Sequence, residues 1–331
     1  MSSPSRRVLV TGGAGFIGAN LCRRLLDSDD IAEVRVIDDL SSGSPENLAG
    51  LDLQTHIGSV LDPDVLEEAV NGCSHVVHLA AVPSVPRSIA DPLRSHEANA
   101  TGTLRVLEAA RRNRGAHVVL ASSSSVYGAN PALPKTEELM CMPMSPYAVS
   151  KLASEQYAMA YASCYQLPVL PFRFFNVFGP LQTAGHAYAA VIPAFVDAAL
   201  GGRRIRVAGD GLQTRDFTFV GSVTDLIHDA LVQDVTSDPV NLAFGTRTSL
   251  LEVIELLQRL LGRQLDVEFM EPRPGDVRHS QASNQRLRAL FPDAKATPLE
   301  DGLTRTIDWF ERLVPWRPSL RGGPRTPDMA S

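Results

Sequence analysis

The amino-acid sequence predicts an α/β protein in which a doubly wound parallel sheet is joined to a smaller α/β substrate-binding lobe. Between residue 8 and about residue 175, short apolar runs alternate with polar or helical segments. The runs are apolar on both faces, as is typical of parallel strands that helices cover on both sides. A glycine-rich turn after the first run and an acidic end on the second favour the same fold.

Six strands are predicted, over residues 8–11, 34–38, 55–58, 75–80, 117–122 and 169–176. The right-handed crossover rule makes the Rossmann arrangement their simplest topology. We expect this domain to cover residues 1–176, with parts of 177–260 returning to it, and the lobe to be formed mainly by 177–315. The lobe should hold a hairpin-like segment at 204–217 and helices that end near residues 200, 260 and 313. The tail 316–331, rich in Pro, Gly, Ser and Arg, is expected to be flexible.

Composition excludes several classes of partner. The net charge of −6 offers no electrostatic footprint for nucleic acid. No apolar stretch approaches the length of a membrane span, so we expect no membrane association and place the protein in the cytoplasm. The four cysteines lack metal-ligand spacing and are interpreted as small apolar residues in or near the core, with no metal site.

The first strand runs into three glycines with the spacing G-x-x-G-x-x-G, namely Gly12, Gly15 and Gly18. An amphipathic segment from Asn20 to Leu26 follows this turn, which includes Phe16 and Ile17. A helix starting here would direct backbone N–H groups and its positive end towards a pyrophosphate. A glycine-rich turn without a ligand is the alternative. Asp38 favours the dinucleotide, because the ribose hydroxyls need an acceptor about 20 residues further on.

Other strand ends add to the predicted cofactor site. No arginine follows in residues 40–43 to receive a 2′-phosphate, which favours NAD over NADP. Ser59 would lie on the adenine side, and the small Ala80 would let the cofactor approach closely. Asn99 is a poor helix former, so it suggests a close approach to the cofactor or a strand, with ordinary packing as the alternative. His78 is interpreted as a packed or supporting histidine.

A candidate catalytic set follows the fifth strand, which ends in four serines at residues 122–125. Ser145 then caps a helix on which Tyr147 and Lys151, four residues apart, share a face. A solvated or packing pair is the alternative. Beside a cationic nicotinamide, the lysine should lower the pKa of the tyrosine, so that the phenol acts as a general base and a serine shares the hydrogen bond to substrate. This combination suits alcohol oxidation by hydride transfer.

Three arginines are candidate ligands of a diphosphate-bearing substrate. Arg87 lies on a proline-stiffened loop, Arg215 lies among strand-forming residues, and Arg278 follows a second proline-rich loop. Rigidly presented guanidinium groups suit phosphate oxygens. An ion pair with Asp216 is the alternative for Arg215.

Taken together, these motifs are recognisable. The chain resembles the nucleotide-sugar 4-epimerases of the extended short-chain dehydrogenase/reductases, and most of all the bacterial ones that act on UDP-N-acetylglucosamine and related sugars. The likeness spans residues 8 to about 280 and rests on T-G-G-A-G-F-I-G, H-L-A-A, S-V-P-R-S-I-A-D-P, S-S-S-S-V-Y-G, S-P-Y-A-V-S-K, R-F-F-N-V-F-G-P, A-Y-A-A-V-I-P, Q-T-R-D-F and P-G-D-V-R-H-S.

The resemblance implies a site and a mechanism. Catalysis would fall to Ser123, Tyr147 and Lys151, with Ser124 adjoining the sugar. NAD would be held by Gly12, Gly15, Gly18 and Asp38, and the UDP-sugar site would be lined by Asn176, Gln182, Val191, Arg215 and Arg278. Tyr147 would remove the proton of the 4-hydroxyl, hydride would pass from carbon 4 to NAD, and the 4-keto sugar would be reduced again on its opposite face. A homodimer is the family default.

Several alternatives stay open. The 4,6-dehydratases of the family carry acidic residues immediately before V-Y-G, and the decarboxylases tend to keep a glutamate there. This chain has the serines at 123–125 instead. Some uronic-acid 4-epimerases carry an arginine in the loop after the Asn176 position, and residues 180–191 contain none, which favours a neutral UDP-hexose, with or without an N-acetyl group. A non-catalytic NAD-binding regulatory protein is a third reading. Ser59 stands where many of the family have aspartate, which would weaken one adenine contact.

Overall fold

The computed structural model describes residues 6–184, 190–272 and 277–313. Its strands are, in chain order, β1 (Arg6–Thr11), β2 (Ile31–Asp38), β3 (Gln54–Ile57), β4 (His75–His78), β5 (His117–Ser123), β6 (Val169–Phe174), β7 (Val177–Phe178), β8 (Ile205–Ala208), β9 (Thr214–Arg215), β10 (Thr218–Phe219), β11 (Val240–Leu242), β12 (Thr248–Ser249) and β13 (Val267–Met270). Its α-helices are α1 (Phe16–Leu26), α2 (Pro63–Val70), α3 (Val85–Ala90), α4 (Pro92–His96), α5 (Gly102–Arg112), α6 (Pro146–Tyr165), α7 (Val191–Leu200), α8 (Val220–Val232), α9 (Leu250–Leu261), α10 (Gln285–Leu290) and α11 (Leu299–Leu313). The tail predicted at 316–331 lies outside the described residues.

Seven parallel strands form the central sheet, in the order β11-β6-β5-β4-β1-β2-β3. The chain enters at β1, runs outward to β3 and then crosses back over β1 to β4 and beyond, which is the predicted doubly wound order. All six predicted strands are present, although β4 ends at His78 and β6 at Phe174, earlier than expected. The sheet's seventh strand, β11, has only three residues, too few for a recognisable apolar run.

The sheet is covered on both faces, as its alternating apolar residues require. On one face, strand residues such as Val8 and Val10 pack against α1 and α8. On the other, Leu9 packs among α2, α5 and α6. A separate apolar cluster joins α7, α9 and α11 to β8. Because all seven strands are parallel, their carboxyl ends lie at the same edge of the sheet. A functional site is expected at that edge.

The hairpin predicted at 204–217 is wrong. β8 pairs in parallel with β13, and β9 pairs in antiparallel fashion with β12. Gly209 and Gly211 both take positive φ angles, so the turn signal was real. However, Ile205 and Val207 are buried in the cluster of α7 and α9, and this burial selects a partner strand from far along the chain. The helices predicted to end near residues 200, 260 and 313 are confirmed as α7, α9 and α11.

Among the described residues, no helix combines the length and the apolar character that crossing a bilayer would require.

Candidate active site

The glycine-rich turn joins β1 to α1 in the conformation that the spacing predicts. Gly12 has φ +71°, and a Cβ there would lie 2.8 Å from the backbone nitrogen of Ala80. A Cβ on Gly18 would lie 2.3 Å from the carbonyl oxygen of Gly12, so this glycine lets α1 pack closely against the turn. A Cβ on Gly15 would meet only that same oxygen, at 3.2 Å, and would otherwise project into open space.

The start of α1 is free for an anion. Its N-cap is Gly15, no side chain caps it, and its first turn holds no acidic residue. A helix end of this kind presents N–H groups and positive potential. The open space beside Gly15 and the uncapped start of α1 together fit a pyrophosphate.

Asp38 is fixed by the backbone around it. Its Oδ2 accepts a hydrogen bond from the Ala14 N–H at 2.9 Å, and its Oδ1 accepts one from the Leu40 N–H at 2.8 Å. Burial raises the pKa of this carboxyl, and the two backbone hydrogen bonds oppose the rise. The side chain is thus held at the end of β2 with lone pairs left over for hydroxyl donors.

A cavity of ≈ 360 Å³ lies at the carboxyl ends of the strands. Its lining includes every predicted catalytic residue and all but one of the predicted cofactor residues: Gly12, Gly15, Phe16, Ile17, Gly18, Asp38, Ser59, Ala80, Ser123, Tyr147 and Lys151. Residues far apart in the sequence therefore converge on one space, because parallel strands end at the same edge.

Asn99 is the cofactor residue that does not line this cavity. It is buried, its Oδ1 accepts a hydrogen bond from the Val82 N–H at 2.8 Å, and its Nδ2 donates to the Ser150 hydroxyl at 2.9 Å. It lies in the π-helical turn Glu97–Thr101 between α4 and α5. Asn99 thereby ties the loop after β4 to α6 and supports the cavity wall from behind.

The residues of the candidate catalytic set lie together, as predicted, and burial dominates their electrostatics in the protein by itself. Lys151 is buried, and its Nζ donates to the Ala121 carbonyl at 2.9 Å. Burial lowers the pKa of Lys151 to about 8. Burial raises the pKa of Tyr147, and only a hydrogen bond with Ser123 opposes it. The expected lowering of the tyrosine pKa was for a site that also holds the cationic nicotinamide, so it stays a prediction.

Two neighbours organise these groups. Ser145 caps α6 by accepting a hydrogen bond from the Ala148 N–H at 3.1 Å, which places Tyr147 in the first turn. The Ser125 hydroxyl donates a hydrogen bond to Ser123 Oγ at 2.9 Å, so the hydroxyl proton of Ser123 points away from Ser125. This arrangement leaves the Ser123 hydroxyl able to pair with Tyr147 or a substrate oxygen.

His78 supports the site, as predicted. Its ring nitrogens pair with the hydroxyls of Thr11 at 2.7 Å and Thr103 at 3.1 Å. Burial lowers its pKa to about 3, so the ring stays neutral and does not exchange protons near pH 7.

Sequence reasoning missed a buried ion pair behind the serines. Arg173 of β6 donates to both carboxylate oxygens of Glu155 of α6, at 2.9 and 2.6 Å. The Ser122 hydroxyl donates to the same carboxylate at 2.8 Å, and Tyr127 donates to Asn241 while accepting from Arg173. The available signal was an arginine inside an apolar strand, which needs a buried partner.

The predicted substrate residues lie outside this cavity. Phe174 and Val177, which flank Asn176, do line it. Arg215 and Arg278 are brought together, because Arg215 Nη1 donates to the Arg278 carbonyl at 3.3 Å, and Arg278 pairs with Asp210 at 2.7 Å. Of the remaining predicted residues, Ser124 starts the turn after β5 and Gln182 lies in the loop after β7. Val191 is the first residue of α7, and Arg87 lies in α3.

Two of these segments carry distinctive polar groups. Gln182 donates to the Val177 carbonyl at 3.2 Å, while its buried Oε1 has no partner among the described residues. Asp216 is fully buried and accepts hydrogen bonds from Gly245, Thr246 and Ala282. Its carboxylate therefore anchors the strand that presents Arg215.

Comparison with known proteins finds relatives in both sequence and fold. The model of the NAD dependent epimerase/dehydratase family matches residues 8–243. The UDP-glucose 4-epimerase of Mycolicibacterium smegmatis is 37% identical over 92% of this chain and 98% of its own. The UDP-N-acetylglucosamine 4-epimerase from Methanobrevibacter ruminantium, solved in complex with UDP-N-acetylmuramic acid, has a TM-score of 0.88 at 36% identity and covers 93% of this chain and 99% of its own. The UDP-glucuronic acid 4-epimerase from Bacillus cereus, solved with UDP-glucuronic acid and NAD, has a TM-score of 0.85 at 28% identity and covers 93% and 99%.

Proposed function

Because the chain belongs to the NAD dependent epimerase/dehydratase family, we propose that it is an NAD-dependent 4-epimerase of UDP-hexoses. The observation that carries the proposal is the convergence of Ser123, Tyr147 and Lys151 with the glycine-rich turn and Asp38 on one cavity. Our preferred substrates are UDP-N-acetylglucosamine with UDP-N-acetylgalactosamine, or UDP-glucose with UDP-galactose.

Each residue of the set has a proposed role. The glycine-rich turn and Asp38 would hold NAD, which would supply the hydride acceptor and donor for carbon 4. Tyr147 takes the proton of the 4-hydroxyl, and Ser123 donates a hydrogen bond to the same oxygen. Lys151, still largely protonated at pH 7 with a pKa of about 8, places a positive charge beside the site that favours the phenolate. The 4-keto sugar then accepts hydride on its opposite face.

The substrate contacts remain proposals. We assign the UDP-sugar to the side of the cavity near Asn176, with Ser124 and Gln182 beside the sugar and Val191 close by. The neighbouring Arg215 and Arg278 are the proposed diphosphate ligands. Arg87, half-buried on α3, is a further candidate. We likewise propose that residues 1–176 with parts of 177–260 form the cofactor domain and 177–315 mainly the lobe, supported by the separate apolar cluster of the lobe.

The distribution of carboxylates favours epimerisation over dehydration. Asp38 and Asp39, at the end of β2, are the carboxylates that line the cavity among the described residues. Glu155 lies behind the serines but is fully buried and paired with Arg173. Elimination of water needs an acid and base at the sugar, and this part of the cavity offers hydroxyls instead.

The decisive test is Tyr147→Phe, with Tyr165→Phe at the exposed end of the same helix as the matched control. Turnover of UDP-N-acetylglucosamine and UDP-glucose should be abolished in the first variant and retained in the second, while both bind NAD. Loss of NAD binding in Tyr147→Phe would contradict its role as base.

A panel of substrates that adds UDP-glucuronate identifies the sugar, and a product lighter by one water would identify a dehydratase. Bound NAD with no turnover of any UDP-hexose would favour the regulatory reading.

We also propose a homodimer. Ile89 of α3, Leu93 of α4, and Val149 and Tyr157 of α6 are exposed apolar residues on neighbouring helices, and Leu93 is 76% exposed. Such a patch is typical of a protein interface. Light scattering should show a dimer that Val149→Asp converts to monomer, and a monomeric parent chain would refute the assignment.

We propose a cytoplasmic location because the cysteines are free thiols. All four cysteines are free, and Cys164 is exposed, so the expectation that it lies in or near the core is wrong. Free exposed thiols persist in reducing compartments. Cell fractionation tests this placement.

A further inference from the structure

A second polar cluster lies at the opposite, amino edge of the sheet. His75 begins β4 and His117 begins β5, and the parallel register pairs them directly. Their rings lie on the same face of the sheet, with centroids 5.5 Å apart and planes at 79°. Asp234, just after α8, completes the cluster, because its Oδ1 lies 2.8 Å from His75 Nε2.

His117 is the unexplained member. It is only 4% exposed, and neither ring nitrogen has a hydrogen-bond partner of acceptable geometry among the described residues. Buried polar atoms without partners are costly and rare. One ligand atom from each of the three residues lies within 4.8 Å of the others, so a single small ion can contact all three after minor adjustment.

We propose that His75, His117 and Asp234 bind a divalent transition-metal ion of the zinc class. Two imidazoles and a carboxylate suit Zn²⁺, Co²⁺ or Ni²⁺, and three protein ligands leave a fourth position for water. The Asp234 side chain is 62% exposed and opens the site to solvent, which provides a path of entry.

Supporting contacts orient two of the ligands. The Ser74 hydroxyl pairs with His75 Nδ1 at 2.8 Å, which leaves Nε2 towards the cluster. Arg6 donates to Asp234 Oδ2 at 3.3 Å and to the Leu231 and Val232 carbonyls at the end of α8. Arg6 thus holds one oxygen of the carboxylate and leaves Oδ1 facing the histidines, as partners of metal ligands do.

The ion would be structural. Ser123 lies six residues after His117 along β5, which is about 20 Å at the rise of a strand. At that distance the metal does not touch the reacting sugar. It would instead clamp the end of α8 to the starts of β4 and β5.

The test uses the tag-free full chain after treatment with a chelator, titrated with CoCl₂ and ZnCl₂. We expect one Co²⁺ per chain with the visible absorption of a tetrahedral site, and a higher Tm with Zn²⁺. His117→Gln and Asp234→Asn should weaken binding at least about tenfold. His96→Gln, at an exposed histidine on α4, should bind like the parent chain.

Two results would overturn the proposal. One is the absence of stoichiometric binding by the parent chain. The other is equal binding by the parent and Asp234→Asn, which would mark adventitious surface binding; because Asp234 is exposed, this variant decides the question even if His117→Gln fails to fold. None of these readouts depends on epimerase turnover, so failure here leaves the proposed function untouched.

Discussion

Replacing Glu155 with glutamine should strongly destabilise the protein. The Glu155 side chain is fully buried and that of Arg173 is 5% exposed, with the closest approach of the two charges at 2.6 Å. Glutamine keeps the shape and one acceptor, but it leaves the guanidinium as an uncompensated buried charge. Removing one member of a buried ion pair costs about 3–5 kcal/mol. The loss is expected at the upper part of this range, because the Ser122 hydroxyl also loses its charged acceptor.

The assay is urea denaturation at a fixed NAD concentration, which gives the free energy of unfolding of each variant. Glu268→Gln is the matched control, because Glu268 pairs with Arg206 at 3.2 Å on the surface and should cost at most ~1 kcal/mol. Replacing both members of the buried pair, as Glu155→Leu with Arg173→Met, should recover part of the loss. If Glu155→Gln costs no more than the surface control, the variant does not leave Arg173 as an uncompensated buried charge, and the reasoning is refuted.

Three further variants test other parts of the structure. Gly15→Ala should weaken NAD binding at least about tenfold, because the added Cβ would face the diphosphate space. It should cost little stability, because Gly15 has an ordinary φ of −76°. Unchanged affinity in a calorimetric titration would place the diphosphate elsewhere. His78 stays neutral in the folded chain with a pKa of about 3, whereas the unfolded chain takes up a proton near pH 6.5, so stability falls as the pH drops below 6.5. His78→Gln should reduce this loss by about 2 kcal/mol between pH 6.5 and 5, and parallel stability curves would contradict it. Ser249→Ala removes the capping box with Glu252 and should cost about 1 kcal/mol in thermal unfolding, while an unchanged Tm would show that the cap is redundant.

Much of the fold and of the candidate site could be predicted because the signals are local. The turn at Gly12 and the helix that follows it are predicted from adjacent residues, and the spacing of Tyr147 and Lys151 places both on one helix face. The alternation of strands and helices then brings the strand ends to one edge. These features predicted the cavity that Asp38 and Ser123 line together.

Long-range contacts explain the errors and omissions. The hairpin at 204–217 was wrong because β8 and β9 take partners from β13 and β12, which no local turn signal reveals. The upward shift in the pKa of Tyr147 depends on how completely the folded protein encloses the ring.

The sequence by itself determined the family, the cofactor and the predicted catalytic set, because each depends on residue types at short, regular spacings. Only the tertiary structure decided which partner each buried polar group finds. Glu155 meets Arg173, Asn99 meets Val82 and Ser150, and His75 of β4 meets Asp234. Such pairings depend on strand register and on helix packing, which bring together side chains that the sequence keeps far apart.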